Sequence, residues 1–432
     1  MAACHERDPA GEAVVCSHVT DCATNAPPAP IGGGCQTGPV SVHSQLRDGV
    51  LPDLSAQAGR PFGVYIHVPF CATRCGYCDF NTYTPGELGG ANPDGWLAAL
   101  RTELRLGAAH LRTAPAADTV FVGGGTPSLL GASGLSAVLD AVRESFGLAP
   151  DAEVTTEANP ESTSPEFFAG LRAAGYTRVS LGMQSTAVHV LAALDRVHSP
   201  GRALDAAREA AAAGFDHVSL DLIYGTPGES DDDLARSVEA AIGAGIDHLS
   251  AYALVVEDGT ALARRVRRGE IPAPDDDVLA RRYELLDDRL REAGFHWYEV
   301  SNWARPGGEC RHNIGYWDGG EWWGAGPGAH SYADATRWWN VKHPNAYATQ
   351  LAAGVLPVAD FETLDHATAH VEEVLLRIRL SSGLPTTALS TDEQTRAETA
   401  ISDGLLSRDG ERLVLTDRGR LLADAVVRDL LG

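Results

Sequence analysis

The sequence predicts an α/β fold, a full or partial (β/α) TIM-type barrel followed by a smaller C-terminal winged-helix-like α+β domain. Three observations carry this expectation. From Phe62 onward, short apolar runs alternate with longer amphipathic stretches rich in Ala, Leu, Arg and Glu, the pattern of a parallel sheet with helical crossovers. The joint from helix to strand recurs almost verbatim, as Ala174-Gly175-Tyr176, Ala213-Gly214-Phe215, Ala244-Gly245-Ile246 and Ala293-Gly294-Phe295. Each Gly suits a left-handed position just past a helix end, with an apolar residue entering the next strand. Polar residues also recur where the strand candidates end, which is where a parallel barrel presents its chemistry. An open doubly wound sheet is the structural competitor.

Taken in order, residues 1–60 are expected to form a largely disordered N-terminal extension. They hold Cys4, Cys16, Cys22 and Cys35 at irregular spacing, the run Ala26-Pro27-Pro28-Ala29-Pro30 and the triplet Gly32-Gly33-Gly34, with no sustained periodicity. A second metal site on those cysteines is the weaker reading, and a start codon assigned too early would look the same. Residues 61–300 make the barrel, with strands expected at Phe62–Val68, Thr119–Val122, Glu153–Glu157, Arg178–Met183, His217–Ile223 and His248–Leu254. Residues 301–364 read as an aromatic-rich connecting segment. Residues 365–432 form the small C-terminal domain, in which Asp409-Gly410 between apolar runs signals a hairpin and Asp417–Leu431 a helix.

Composition narrows the function classes. A chain of 432 residues, 44% hydrophobic, is ample for a large core. Its net charge of -24 argues against recognition of nucleic acid or an anionic membrane by bulk electrostatics. No apolar run approaches the length of a membrane span, and the N-terminus lacks a secretory pattern, so the cytoplasm is the expected compartment.

The chemistry concentrates after the first strand. Cys71, Cys75 and Cys78 stand at CxxxCxxC spacing. A structural zinc site closes with four ligands and an ordinary iron-sulfur cluster takes four cysteines, so a tight trio points to a cluster with one iron left open to a small molecule. A zinc knuckle would show paired ligands in both halves, and packing cysteines have no reason to cluster beside Pro69 and Gly76. The other strand ends are polar too: Gly123-Gly124-Gly125-Thr126-Pro127, Glu157-Ala158-Asn159-Pro160, Gln184 and Asp221. A triple glycine by itself is equally a tight turn, and each polar residue singly is equally a loop cap. Their recurrence at one end beside the cysteines is the signal.

The strings YIHVPFCATRCGYCDF, FVGGGTP, TTEANP, SLGMQS, LDRVHS and DLIYGTPGE, running from Phe62 toward the C-terminus, resemble the coproporphyrinogen III oxidase-like branch of radical S-adenosylmethionine (SAM) proteins. The resemblance implies a [4Fe-4S] cluster on Cys71, Cys75 and Cys78 whose fourth iron binds SAM. It further implies that Tyr65 touches SAM, that Gly124, Gly125 and Thr126 cradle its methionine end, and that Glu157, Gln184, Arg196 and Asp221 line the rest. Backbone amides suit a carboxylate, and acidic side chains suit an ammonium or ribose hydroxyls. For Arg196 a surface ion pair on the following helix is an equal alternative.

Two members of this branch differ in function. The oxygen-independent oxidase decarboxylates propionates of coproporphyrinogen III, whereas the HemW-type heme chaperone binds heme for delivery to apo-proteins. The oxidase pattern continues to a fourth cysteine two residues after the third, where this chain has Phe80. The segment His312-Asn313-Ile314-Gly315-Tyr316-Trp317 matches the HNxxYW signature associated with the chaperone. Imidazole and phenolate both ligate heme iron, so His312 or Tyr316 is the candidate axial ligand, with Cys310 a lesser candidate thiolate. Seven of the eight tryptophans fall between Trp297 and Trp339 and are suited to cover a porphyrin, or to form a core. The last domain carries eight basic and twelve acidic side chains, so it reads as a lid or docking element rather than a DNA reader. The leading expectation is a heme chaperone with heme, heme-accepting apo-proteins and an electron donor as partners and no nucleic acid, membrane recruitment through a partner staying open. The oxidase and a heme-free, metal-stabilised interaction module are the alternatives.

Overall fold

In the computed structural model, which describes residues 51–57, 59–196 and 199–432, six parallel strands form at the expected places, β2 and β3 longer than expected and β3 starting five residues earlier: β1 Phe62–Val68, β2 Ala117–Gly124, β3 Leu148–Ala158, β4 Arg178–Gln184, β5 His217–Tyr224 and β6 His248–Ala253. Neighbours pair in sequence order, β1 with β2 through to β5 with β6, each parallel. Helices return the chain between strands, and the joint glycines Gly175, Gly214, Gly245 and Gly294 all have positive φ, between 82° and 112°, as a helix-ending left-handed turn requires.

Six further strands extend the same sheet: β7 His296–Glu299, β8 Asn302–Ala304, β9 Glu321–Ala325, β10 His330–Ala333, β11 Thr336–Asn340 and β12 Val358–Thr363. The order is β12-β11-β10-β9-β1-β2-β3-β4-β5-β6-β8-β7, so among the described residues the two edges do not pair and the barrel is partial. This corrects the expectation that residues 301–364 merely connect two domains. Strand β9 pairs parallel with β1, and β10 to β12 follow as an antiparallel meander. The strand signal there is hidden by its tryptophans, which read as cofactor cover rather than as β-formers.

Alternation assigns the two faces. On β1, Val64, Ile66 and Val68 turn to the helical layer and are fully buried, while Tyr65 lines the lumen. On the meander Trp323 and Trp338 face the core, 5.1 Å apart edge to face, and Gly107 is glycine because a Cβ would stand 2.5 Å from the Trp323 ring.

The packed chain begins earlier than expected. Leu51 and Leu54 are buried in the main core, Leu54 bridges Leu111, and His110 Nε2 donates to Pro52 O at 2.8 Å, so the tail expectation fails for residues 51–57. Cys4, Cys16, Cys22 and Cys35 lie outside the described residues.

The C-terminal domain has its own core, from Val374 to Leu430. It carries the three-stranded sheet β13 Leu384–Pro385, β14 Leu406–Asp409 and β15 Arg412–Leu415 in the order β13-β15-β14, with the expected turn at Gly410. The single helix expected over 417–431 is instead two, Asp417–Leu421 and Ala423–Leu431. At that break the domain docks: Arg420 bonds Asp287 at 2.9 and 2.7 Å and lies over the Trp297 and Tyr283 rings.

Candidate functional site

The CxxxCxxC loop leaves the top of β1 and is tied down on several sides. Cys71 N donates to Tyr83 O at 3.1 Å, Gly76 N to Leu194 O at 3.2 Å, and Asn81 Nδ2 to both Pro327 O and Lys342 O at 2.9 Å. Gly76 must be glycine, because a Cβ would fall 2.3 Å from Asp195 Oδ2. Cys71, Cys75 and Cys78 are free thiols, all half-buried. Thr126 Oγ1 donates toward Cys71 Sγ at 3.7 Å and Arg196 Nη1 to Cys75 Sγ at 3.2 Å. Arg196 thus turns inward to the cysteine loop. Burial pushes the Cys71 and Cys78 thiols up, to about 12 for Cys78, and the hydroxyl and guanidinium donors aimed at Cys71 and Cys75 sulfur oppose that cost, as a site that must hold thiolates on a metal requires. Among the described residues no three Cys, His, Asp or Glu side chains converge as one metal ion requires. A multi-iron cluster makes no such demand, since each thiolate takes its own iron, so the donor set fits a cluster rather than a lone zinc ion.

The glycine run has a different role from the one expected. Gly124 N donates to Glu157 Oε2 at 3.1 Å, Gly125 N to Val68 O at 2.8 Å and Thr126 N to Phe70 O at 2.7 Å, so all three amides are engaged within the protein. What the run supplies is space. Gly124 has φ of 108°, a Cβ on it would stand 2.6 Å from the His67 ring, and one on Gly125 would stand 2.5 Å from Phe70 O.

Below the cysteines the lumen is polar. His67 Nε2 donates to Asn81 O at 2.9 Å, which leaves Nδ1 to accept the Tyr65 hydroxyl at 3.1 Å and so fixes where that hydroxyl points. Glu157 and Asp221 form a carboxylate pair lining the same cavity. Burial, then the charge of Asp221, pushes Glu157 up to about 8 against the pull of the Gly124 amide. Burial pushes Asp221 up to about 6, although Ser180 donates to it at 2.8 Å. Two acids held partly protonated beside each other make a site poised for a cation. Gln184 is buried at the top of β4 with φ of 60°, at a register shift in the β4–β5 pairing, and its amide nitrogen turns back to the carbonyls of Gly182 and Met183. Phe80 lines the lumen where the oxidase pattern would carry a cysteine.

The helix Arg311–Trp317 closes the opposite end of the lumen, beside the start of the strands. Glu153, midway along β3, accepts from the amides of Arg311 at 3.1 Å and His312 at 3.0 Å and pairs with buried Arg178. His312 is buried, with Nδ1 bonded to Thr119 Oγ1 and Nε2 to the Tyr316 hydroxyl, both at 2.7 Å. Burial holds its pKa down to about 4. In this arrangement neither nitrogen is open to iron, so the expected axial role for His312 or Tyr316 does not fit the geometry. Cys310 is buried and its thiol donates to Glu153 at 3.5 Å, which makes it a structural side chain; burial likewise pushes it up to about 12.

Sequence reading missed Thr155, Arg178, Ser219, His248 and Ser250, all lining the lumen. The signal was present as polar residues every second position, as in Glu153-Thr155-Glu157 and Ser219-Asp221, within strands that read as apolar.

Comparison with known proteins fits this geometry. The Radical SAM superfamily model matches residues 65–241 and the HemN C-terminal domain model residues 364–422. The chain is 72% identical over 382 residues to the heme chaperone HemW of Mycobacterium tuberculosis strain H37Rv, covering 88% of this chain and 98% of that protein. It belongs to the HemW family of radical SAM proteins. HemW proteins of Bacillus subtilis and Escherichia coli K12 are 31% and 33% identical, each over 85% of this chain and 98% and 97% of their own. The solved E. coli coproporphyrinogen III oxidase HemN shares the fold, with TM-score 0.73 at 22% identity over 86% of this chain and 90% of that one. Among the described residues no helix of this HemW-family protein is long and apolar enough to cross a membrane.

Proposed function

We propose that this protein binds heme and delivers it to apo-proteins, on a scaffold that also holds a [4Fe-4S] cluster and SAM. The observation that carries the reading is the match at 72% identity, across 98% of its length, to a protein named heme chaperone HemW. The Phe80 side chain in the lumen, where the oxidase pattern carries a fourth cysteine, weighs against coproporphyrinogen oxidation.

Cys71, Cys75 and Cys78 would hold the cluster, with Arg196 offsetting its thiolate charge. Tyr65, Glu157, Gln184 and Asp221 would line the SAM site, and Gly124, Gly125 and Thr126 would leave room for its methionine end. When bound, the pair supplies one-electron reductive chemistry at the sulfonium. Glu157 and Asp221 would give up protons when a cation binds between them, and the buried Tyr65 hydroxyl, directed to His67, would stay protonated because burial and then Glu157 raise its pKa. An electron donor, heme-accepting apo-proteins and a cytoplasmic location complete the proposal. A protein partner would be needed for any recruitment to a membrane.

The test uses one anaerobically reconstituted preparation. Hemin is titrated while the Soret band is followed, and the same sample is assayed with coproporphyrinogen III, SAM and dithionite. Stoichiometric hemin binding without decarboxylation is expected. Formation of protoporphyrinogen IX would overturn the reading.

A further inference from the structure

The concave side of the β9–β12 meander continues the lumen wall beyond β1. Strand pairing sets Trp322 opposite Gly63, on the same side as Tyr65, and alternation brings His330, Tyr332 and Trp339 to that face. These four are half-buried, whereas Trp323 and Trp338 on the other side are buried.

His330 stands apart from the other described histidines. It lies flat against Trp339, with ring centroids 5.7 Å apart and planes at 24°. Among the described residues neither of its ring nitrogens has a hydrogen-bond partner, while His67, His248 and His312 have both nitrogens engaged. His296 and His366 are solvent-exposed. A half-buried imidazole with both nitrogens open, backed by an indole, is built to give a lone pair to something that approaches from the lumen side. It sits at the start of β10, just past the turn where Gly326 abuts the backbone of His67, and therefore at the cysteine end of the barrel.

The charge nearby is complementary to a metalloporphyrin carrying propionates. Lys342, the single lysine of the sequence, is exposed two residues past the end of β11, and its backbone is fastened to the cysteine loop through Asn81. No carboxylate pairs with it among the described residues. Arg337 on the same face is already bound to Glu362 and Glu372, so of these two cations Lys342 is the one left to meet an anion.

We infer that His330 is the protein's axial ligand to heme iron, that Trp322, Tyr332 and Trp339 flank the porphyrin, and that Lys342 meets a propionate. This inference rests on the heme-binding reading above and names its site. It also gives the HNxxYW helix a positioning role. The Tyr316 ring packs edge-on against Trp322 at 4.6 Å, and the Trp322 indole N–H donates to the backbone carbonyl of His330 at 2.9 Å. His312 holds the Tyr316 hydroxyl, so the motif reaches the ligand through two aromatic side chains without touching iron.

The experiment titrates hemin into the full chain, comparing the unaltered protein with His330→Ala, His330→Tyr and His312→Ala, each checked for native circular dichroism. His330→Ala is expected to shift the Soret band and raise Kd by more than about tenfold, equivalent to about 1.4 kcal/mol, with added imidazole restoring the original band. His330→Tyr is expected to keep binding with a different, phenolate-type spectrum. His312→Ala, acting through the supporting side chains, should weaken binding with the Soret position unchanged and with no rescue by imidazole. An unchanged band and Kd in both His330 variants, or loss of the axial-ligand band in His312→Ala alone, would overturn the assignment. No hemin binding by the unaltered protein would instead overturn the functional reading itself, and this inference with it.

Discussion

Replacing Glu157 by Gln should make the cofactor-free protein more stable at alkaline pH while removing part of its function. The carboxyl is displaced from the ordinary 4.5 to about 8, first by burial and then by Asp221. At about 1.4 kcal/mol per tenfold, ionising it in the folded state would cost up to about 5 kcal/mol above pH 8. Both carboxyls line the lumen, where water screens them, and about 2 kcal/mol is the realistic expectation. The sign follows from the direction. An acid raised on folding costs nothing below its unfolded value, begins to cost as pH rises through about 4.5, and reaches its full cost above about 8. The carboxamide introduced by Glu157→Gln would still accept from the Gly124 amide and would present an N–H to Asp221. The variant and the unaltered protein should therefore melt together near pH 5 and separate by about 2 °C at pH 8.5, read by circular dichroism. A variant no more stable at pH 8.5, or one equally stabilised at both pH values, would refute the argument, the second outcome showing a packing effect instead. Equilibrium dialysis of SAM against the same variant should show weakened binding.

Replacing Cys71, Cys75 and Cys78 by Ala should abolish iron-sulfur absorbance with the fold retained, and full iron and sulfide content in that variant would exclude the cluster assignment. Gly125→Ala should cost about 1–3 kcal/mol and lower iron incorporation, because its methyl would press on the Phe70 carbonyl, 2.5 Å away; an unchanged melting temperature would show that the backbone yields. Arg420→Met should destabilise by about 3 kcal/mol and expose the C-terminal domain to proteolysis, since Asp287 would stay buried without its main partner. Burial raises the Asp287 carboxyl, but Arg420 and Trp303 outweigh it and hold it below the ordinary range. The contribution of the pair is therefore complete above about pH 4 and disappears as pH falls further, so the gap between variant and unaltered protein should close in acid.

Much of this protein is determined locally and was legible in the sequence. The CxxxCxxC loop, the six parallel strands and the glycine joints depend on spacing, side-chain period and backbone freedom, which a short stretch of chain carries by itself. Phe80 in the place of a fourth cysteine is likewise a fact of sequence. Tertiary structure decided what lies far apart along the chain. Arg196 reaches Cys75 across 121 positions, and Leu51 and Leu54 join a core formed by residues beyond them. The amides of the glycine run were expected to face a ligand, and only the packing of β1 against β2 and β3 shows them already engaged. His312 had the right chemistry for iron, but the Thr119 and Tyr316 hydroxyls occupy both its nitrogens once the helix seats against β2. Adjacent Trp322 and Trp323 are alike in composition, and the pairing of β9 with β1 sends one to the concave face and the other to the core. A strand's period of two separates the faces, but only its neighbours decide which face is which.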